Sequence, residues 1–141
     1  MRAGGSLGER LQRFASAVAV GDFDTAASFH REDAVFDMSP MGMGTFEGRR
    51  AIRALFADWF AAYDTYVIEL QSFEDLGSDV AFNTFSYRGQ IAGSDQFVTV
   101  THAYITVWSD GLIDRTSAYS DSEDARAAAR RLAAERSHGS A

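Results

Sequence analysis

The chain has 141 residues, a net charge of −7 and a sequence pI near 4.8. Its composition, 46% hydrophobic and 23% charged, is that of one folded domain rather than of a disordered segment. An acidic surface of this kind repels phosphate backbones, so nucleic acid is not expected as a partner. Cysteine is absent, which excludes disulfides, thiolate metal sites and a cysteine nucleophile.

No apolar run reaches the roughly eighteen residues of a bilayer span, and Met1 to Gly8 lacks the apolar core of a signal peptide. The expectation is a cytoplasmic protein with no membrane partner. His30, His102 and His138 are far apart and lack helical metal-ligand spacing, so no metal and no cofactor is expected.

In chain order, Leu7 to Val20 carries Leu7, Leu11, Phe14, Ala15 and Val18 at three- and four-residue steps, which predicts an amphipathic helix. Gly21 ends it, and the Asp22 carboxylate is placed to cap a second helix from Phe23 to Phe29. Asp33 to Met38 reads as a short strand stopped by Ser39-Pro40. Met41-Gly42-Met43-Gly44 reads as a flexible loop. A third helix over Gly48 to Tyr63 lines up Ile52, Leu55, Phe56, Trp59 and Phe60.

From Tyr66 the pattern switches to alternation. Tyr66–Phe73, Val80–Ile91, Gln96–Trp108 and Ile113–Asp121 are strand candidates divided by Gly/Ser/Asp turns. Close neighbours of this type form an antiparallel meander. Ser122 to Arg136 is rich in Ala and Arg and reads as a final helix, capped by Asp121 or Ser122.

The order predicts an α+β fold: a cone-shaped α+β barrel in which three N-terminal helices pack on one face of a curved antiparallel sheet, followed by a C-terminal helix. A single domain over residues 7–136 is expected, with flexible termini at 1–6 and 137–141. On the strand from Gln96 both faces are apolar: Val98, Val100, His102, Tyr104, Thr106 and Trp108 on one, Thr99, Thr101, Ala103, Ile105 and Val107 on the other. A solvated face is more polar, so the second face is expected to be covered by another subunit in a homodimer.

Four short motifs carry a family resemblance over most of the chain. They are Val20-Gly21-Asp22-Phe23-Asp24, Glu32-Asp33-Ala34-Val35-Phe36-Asp37, Phe46-Glu47-Gly48-Arg49-Arg50-Ala51-Ile52-Arg53, and Ser109-Asp110-Gly111-Leu112-Ile113 with Tyr119 and Asp121. In order and spacing they resemble the SnoaL-like branch of the nuclear transport factor 2-like superfamily, which includes polyketide cyclases and ketosteroid isomerase. The resemblance implies the cone fold; one fold hosts many activities.

Residue by residue, the isomerase's oxyanion tyrosine matches Phe14. Its base aspartate matches Met38, or Ser39 with a different gap, and its second acid falls near Tyr104. None of the three groups is retained, so that isomerisation is not expected. The cyclases' Trp-Asp pair on the last strand, which supplies their acidic residue, matches Ser117 and Ala118, and the Asp-Arg-Asp arrangement of related epoxide hydrolases is not met by Asp114-Arg115, which point to opposite sides of a strand.

What remains for chemistry is Asp37, an acid in an apolar strand, with His102 and Tyr104, which share a strand face. A proton could pass through Asp37 and His102 while Tyr104 donates to a developing oxyanion. Phe14, Met38, Trp59 and Tyr87 are candidate pocket walls, and Met41 and Met43 a candidate lid. The expected function is binding of a small apolar molecule by a cofactor-independent cyclase, isomerase or dehydratase acting on a polycyclic or polyketide-like substrate. The alternative is a non-catalytic ligand-binding domain.

Overall fold

The computed structural model describes residues 6–139. Residues 1–5 and 140–141, part of the expected flexible termini, lie outside the described residues. The first helix, α1, spans Leu7–Ala19. It starts at a reciprocal cap in which Glu9 N donates to Ser6 Oγ at 3.2 Å while the Glu9 carboxylate accepts from Ser6 N. It ends where Gly21 takes φ 75°, a left-handed conformation open to glycine. Asp22 then accepts from Thr25 N at 3.1 Å and opens α2, Phe23–Ser28.

Strand β1 spans His30–Asp37, longer than expected at its N-terminal end. A 3-10 turn at Ser39–Met41 follows, and then a short strand β2, Thr45–Glu47, that the sequence pattern does not show. It is made by pairing with β1, Phe36 opposite Phe46, rather than by alternation of its own. Helix α3 runs Arg49–Phe60 and buries Ile52, Phe56 and Phe60. The long strands are β3 Tyr63–Asp75, β4 Val80–Ile91, β5 Phe97–Ser109 and β6 Leu112–Tyr119. Helix α4, Ser122–Gly139, passes the expected Arg136 end. Its cap is Asp121, whose Oδ1 accepts from Glu123 N at 2.8 Å and Asp124 N at 3.0 Å.

The sheet order is β2-β1-β6-β5-β4-β3, curved and unclosed, with β3 to β6 an antiparallel meander. The β1–β6 pair is parallel, which departs from an all-antiparallel sheet. Two cores result. On the inner face α1 and α3 pack onto Phe36, Phe85, Tyr87, Tyr104 and Trp108.

On the outer face α4 lays Ala125, Ala129 and Ala133 against Val80, Phe82, Ala103, Ile105 and Val107. Small side chains let that helix lie close, and Arg126 helps hold it through an ion pair with Glu74, Nε to Oε1 3.0 Å, while its guanidinium sits 4.8 Å over the Phe82 ring. The apolar outer residues of β5 from Ala103 onward are therefore covered by the chain's own helix, not by another subunit as expected. Thr99 and Thr101 remain exposed beside Phe97, 55% exposed, and Val67, 54% exposed. No helix among the described residues is long and apolar enough to cross a membrane.

Candidate functional site in the cone and at its mouth

Alternation along β4 and β5 decides what the cone interior holds. Asn83, Phe85 and Tyr87 face inward from β4, opposite Tyr104, His102 and Val100 of β5. Phe14 of α1 meets Phe29, His30, Phe56 and Phe85 at ring distances of 5.6 to 6.2 Å, which knits the helices to the sheet through aromatic edges.

These rings nearly fill the interior. The cavity that remains measures about 30 Å³, room for one or two waters and not for the polycyclic guest expected from the sequence. Its walls run from Trp59, Phe60 and Ile68 at one end to Leu11, Ile113 and Thr116 at the other. A larger groove of about 420 Å³ lies at the mouth, lined by Met38, Met41, Met43, Leu55, Asp58, Trp59, Ala62 and His102. Trp59 belongs to both linings, so at that point one indole is the partition between them.

His102 stands in the groove with its Nδ1 buried and without a hydrogen-bond partner. Burial pulls its pKa below the ordinary imidazole value, so the ring is neutral at pH 7. It lies 5.7 Å from the Trp59 ring and 5.7 Å from the Tyr87 ring. Tyr104, two residues on, opens into the inner cavity rather than the groove. Its hydroxyl is 2.5 Å from that of Tyr87, and burial raises both phenols above their ordinary pKa. Two neutral phenols joined by one hydrogen bond keep one hydroxyl hydrogen to give away.

Asp37 is not part of this group. Phe36 and Met38 point inward, so Asp37 points to the outer face, away from His102. There it accepts from Ser39 N at 2.9 Å, Thr45 Oγ1 at 3.2 Å and Arg115 Nη2 at 2.8 Å. Hydrogen bonds from Ser39, then from Thr45, and the Arg115 charge hold its pKa below the usual carboxylate value. A carboxylate so placed ties the end of β1 to β2 and β6; the sheet itself separates it from His102, so the two cannot hand a proton to one ligand. The other predicted residues are inside: Phe14 and Tyr87 line the inner cavity, Met38 lines the groove, and Trp59 lines both.

Two residues not singled out in the sequence occupy the interior. His30, 1% exposed, places Nδ1 at 3.2 Å from Ala26 O and 3.3 Å from Ala27 O. Burial lowers its pKa to about 4, so it is a neutral ring with its proton on Nδ1. Asn83 is fully buried, and neither amide atom has a partner. The signal for Asn83 was present: an amide on the same alternating face as Phe85 and Tyr87. Among the described residues no cluster of His, Asp and Glu is placed to hold a metal ion.

A curved sheet with helices in its hollow and a groove at the rim is the architecture of the cone-shaped α+β proteins. The sequence matches the SnoaL-like domain family over residues 11–116, and the chain belongs to that family. No curated protein matches it. Among solved structures it is similar to a hypothetical protein of ketosteroid isomerase-like fold from Catenulispora acidiphila in complex with trimethylamine. That likeness has a TM-score of 0.71 and 18% identity, covering 81% of this chain and 86% of that one. It is likewise similar to SalBIII, an epoxide hydrolase/cyclase-like enzyme of pyran ring formation in polyether salinomycin, with a TM-score of 0.71 and 20% identity, over 88% of this chain and 97% of that one. An uncharacterized cystatin-fold protein from Novosphingobium aromaticivorans gives a TM-score of 0.69 at 18% identity, over 82% and 98% of the two chains. At these identities the likeness is one of fold.

Proposed function

We propose that this protein is a cytoplasmic, cofactor-independent enzyme that binds a small apolar carbonyl compound in the mouth groove and moves a proton on it with His102. The observation behind this is a neutral imidazole whose buried Nδ1 has no protein partner, set among Met, Leu and Trp side chains in a groove that Asp58 also lines. A base in such a place is uncharged when idle and acts on an acidic C–H beside a carbonyl. With Trp59 displaced, the Tyr87–Tyr104 pair beyond it is the donor for the oxygen on which negative charge develops. Asp37 has no part in this reading.

The test is deuterium exchange at the α-carbon of 2-tetralone, a neutral bicyclic ketone, followed by proton NMR. Wild type is expected to speed exchange, and His102→Ala to lose about 10²-fold or more of that rate. The rate should be level near pH 7 and fall as acid protonates His102, with the midpoint below the ordinary imidazole value. Equal rates for wild type and His102→Ala with the ketone bound would favour the second reading, a binding domain. That reading is supported by the absence of any carboxylate from the lining of the inner cavity.

The active form in this reading is a homodimer through the part of the outer sheet face that α4 leaves open, at Val67, Phe97, Thr99 and Thr101. Light scattering should give twice the chain mass, and Phe97→Asp should return it to one.

A further inference from the structure

Asn83 is the only asparagine in the chain, and it is placed in the interior with 0% exposure. Its carboxamide offers two donors and an acceptor, and neither Nδ2 nor Oδ1 has a partner. Native chains pair their buried polar atoms in the great majority of cases, since an orphan amide destabilises the fold. Leucine has nearly the same shape and would carry no such penalty.

The side chain lines the inner cavity, as do Thr106 and His30, whose hydrogen bonds define what they can still offer. Thr106 Oγ1 accepts from Trp108 Nε1 at 2.8 Å, which leaves its own hydrogen free to donate. The His30 proton is on Nδ1, committed to the carbonyls of Ala26 and Ala27, so its Nε2 is an acceptor. No Arg, Lys, Asp or Glu is among the lining residues. A group that enters must therefore be uncharged, and must offer a donor and an acceptor side by side to satisfy both ends of the amide.

The route is short. His102 in the groove is paired with Phe85, and Asn83 is two residues further along the same strand, about 7 Å on. Trp59 lines both spaces, and its ring rests on Phe60 by stacking, with centroids 5.7 Å apart.

We infer that Asn83, with Thr106 and His30, is the end of a ligand channel that receives the neutral carboxamide or lactam terminus of a flat apolar molecule, whose ring system lies past a displaced Trp59 in the mouth groove. This deepens the reading of the groove as the ligand site and rests on it; it does not depend on His102 acting as a base.

The full chain labelled with ¹⁵N-asparagine gives one side-chain amide signal, that of Asn83. Titration with 2-naphthamide is expected to shift that signal saturably. Calorimetry should show 2-methylnaphthalene binding at least tenfold more weakly and the anion 2-naphthoate not at all. Asn83→Leu should lose at least tenfold in affinity for 2-naphthamide, keep its affinity for 2-methylnaphthalene, and melt at a higher temperature than wild type.

An unshifted Asn83 signal overturns the inference, as does an Asn83→Leu variant that binds 2-naphthamide as wild type does. A lower melting temperature for that variant with affinity retained would make the amide a structural water site instead. Should Asn83→Leu not fold, the shift in wild type and the ranking of the three probes decide the matter. The His102 base is tested separately: no tetralone exchange with the Asn83 shift present removes the base and leaves the channel. Failure of any bicyclic probe to bind removes the groove itself.

Discussion

Acidification should unfold this protein earlier than its carboxylates would, and His30 is the reason. In the folded chain burial holds the His30 pKa at about 4, against an ordinary imidazole value of 6.5. Between those two values the unfolded chain carries a proton that the native ring refuses, so stability falls as pH falls. Integrating the linkage from pH 7 to pH 5 gives a loss of about 2 kcal/mol from this ring alone. The figure changes little if the folded value lies a unit higher, because most of the loss at pH 5 comes from protonation of the unfolded state.

That window lies above the range in which the depressed carboxylates, Asp22 and Asp37, become protonated. Urea unfolding followed by tryptophan fluorescence at pH 7, 6 and 5 reads the slope. His30→Asn is the comparison, since its amide can still donate to the Ala26 and Ala27 carbonyls while having nothing to titrate. It should be less stable than wild type at pH 7 and lose about 2 kcal/mol less on going to pH 5. His102, lowered by burial in the same direction, adds to the slope of both proteins and cancels in the difference. Relief of acidic self-repulsion cancels in the same way. Parallel slopes for the two proteins would refute the assignment of His30 as a neutral, proton-refusing core residue.

Asp37→Ala should leave tetralone exchange unchanged while destabilising the fold by about 2 kcal/mol. It removes three hydrogen-bond acceptor contacts, one of them to an Arg115 that is 45% exposed and so discounted for screening; a fall in exchange rate without a fall in stability would contradict its placement. Gly89→Ala should lower the melting temperature markedly, because a Cβ there would come within 2.5 Å of the Tyr63 ring. Ala129→Leu, at a site with 0% exposure between α4 and the sheet, should cost about 1–3 kcal/mol and lift α4 from Phe82, measurable by urea unfolding and by faster amide exchange in α4.

Element type was legible in the sequence wherever one physical pattern acted alone. The helices of the first half showed themselves by three- and four-residue spacing and by Gly21-Asp22, and β4 was bounded as the structure has it, Val80 to Ile91. The short β2 was not legible, since three residues have no period; only the partner strand defines them. Burial of Ala103, Ile105 and Val107 on the outer sheet face was also legible, their cover by α4 was not, and Thr99 and Thr101 of the same face are exposed. Periodicity says that Ile105 and Val107 are buried, and is silent on whether the covering atoms belong to α4 or to another chain.

The same limit explains the site. Alternation from Phe36 already places Asp37 on the opposite strand face, but the face turned to the ligand is fixed only by which helices lie in the cone. Once α1 and α3 occupy the hollow, Phe36, Tyr104 and His102 are inside and Asp37 is outside with Arg115. An acid among apolar sequence neighbours suggests a group in low dielectric. In a strand, though, sequence neighbours are on the other face, and an acid's environment is set by residues two away and across the sheet. By that rule the polar residues worth weighing are those whose second neighbours are aromatic. Asn83 has Phe85, and His102 has Tyr104 on the strand and Phe85 across it. Asn83 is in the interior and His102 in the mouth groove, and both have buried nitrogens with no protein partner. The unpartnered polar atoms on the inner face of the sheet, among the described residues, thus lie on two adjacent strands, along a line from the groove inward, which is where a ligand would satisfy them.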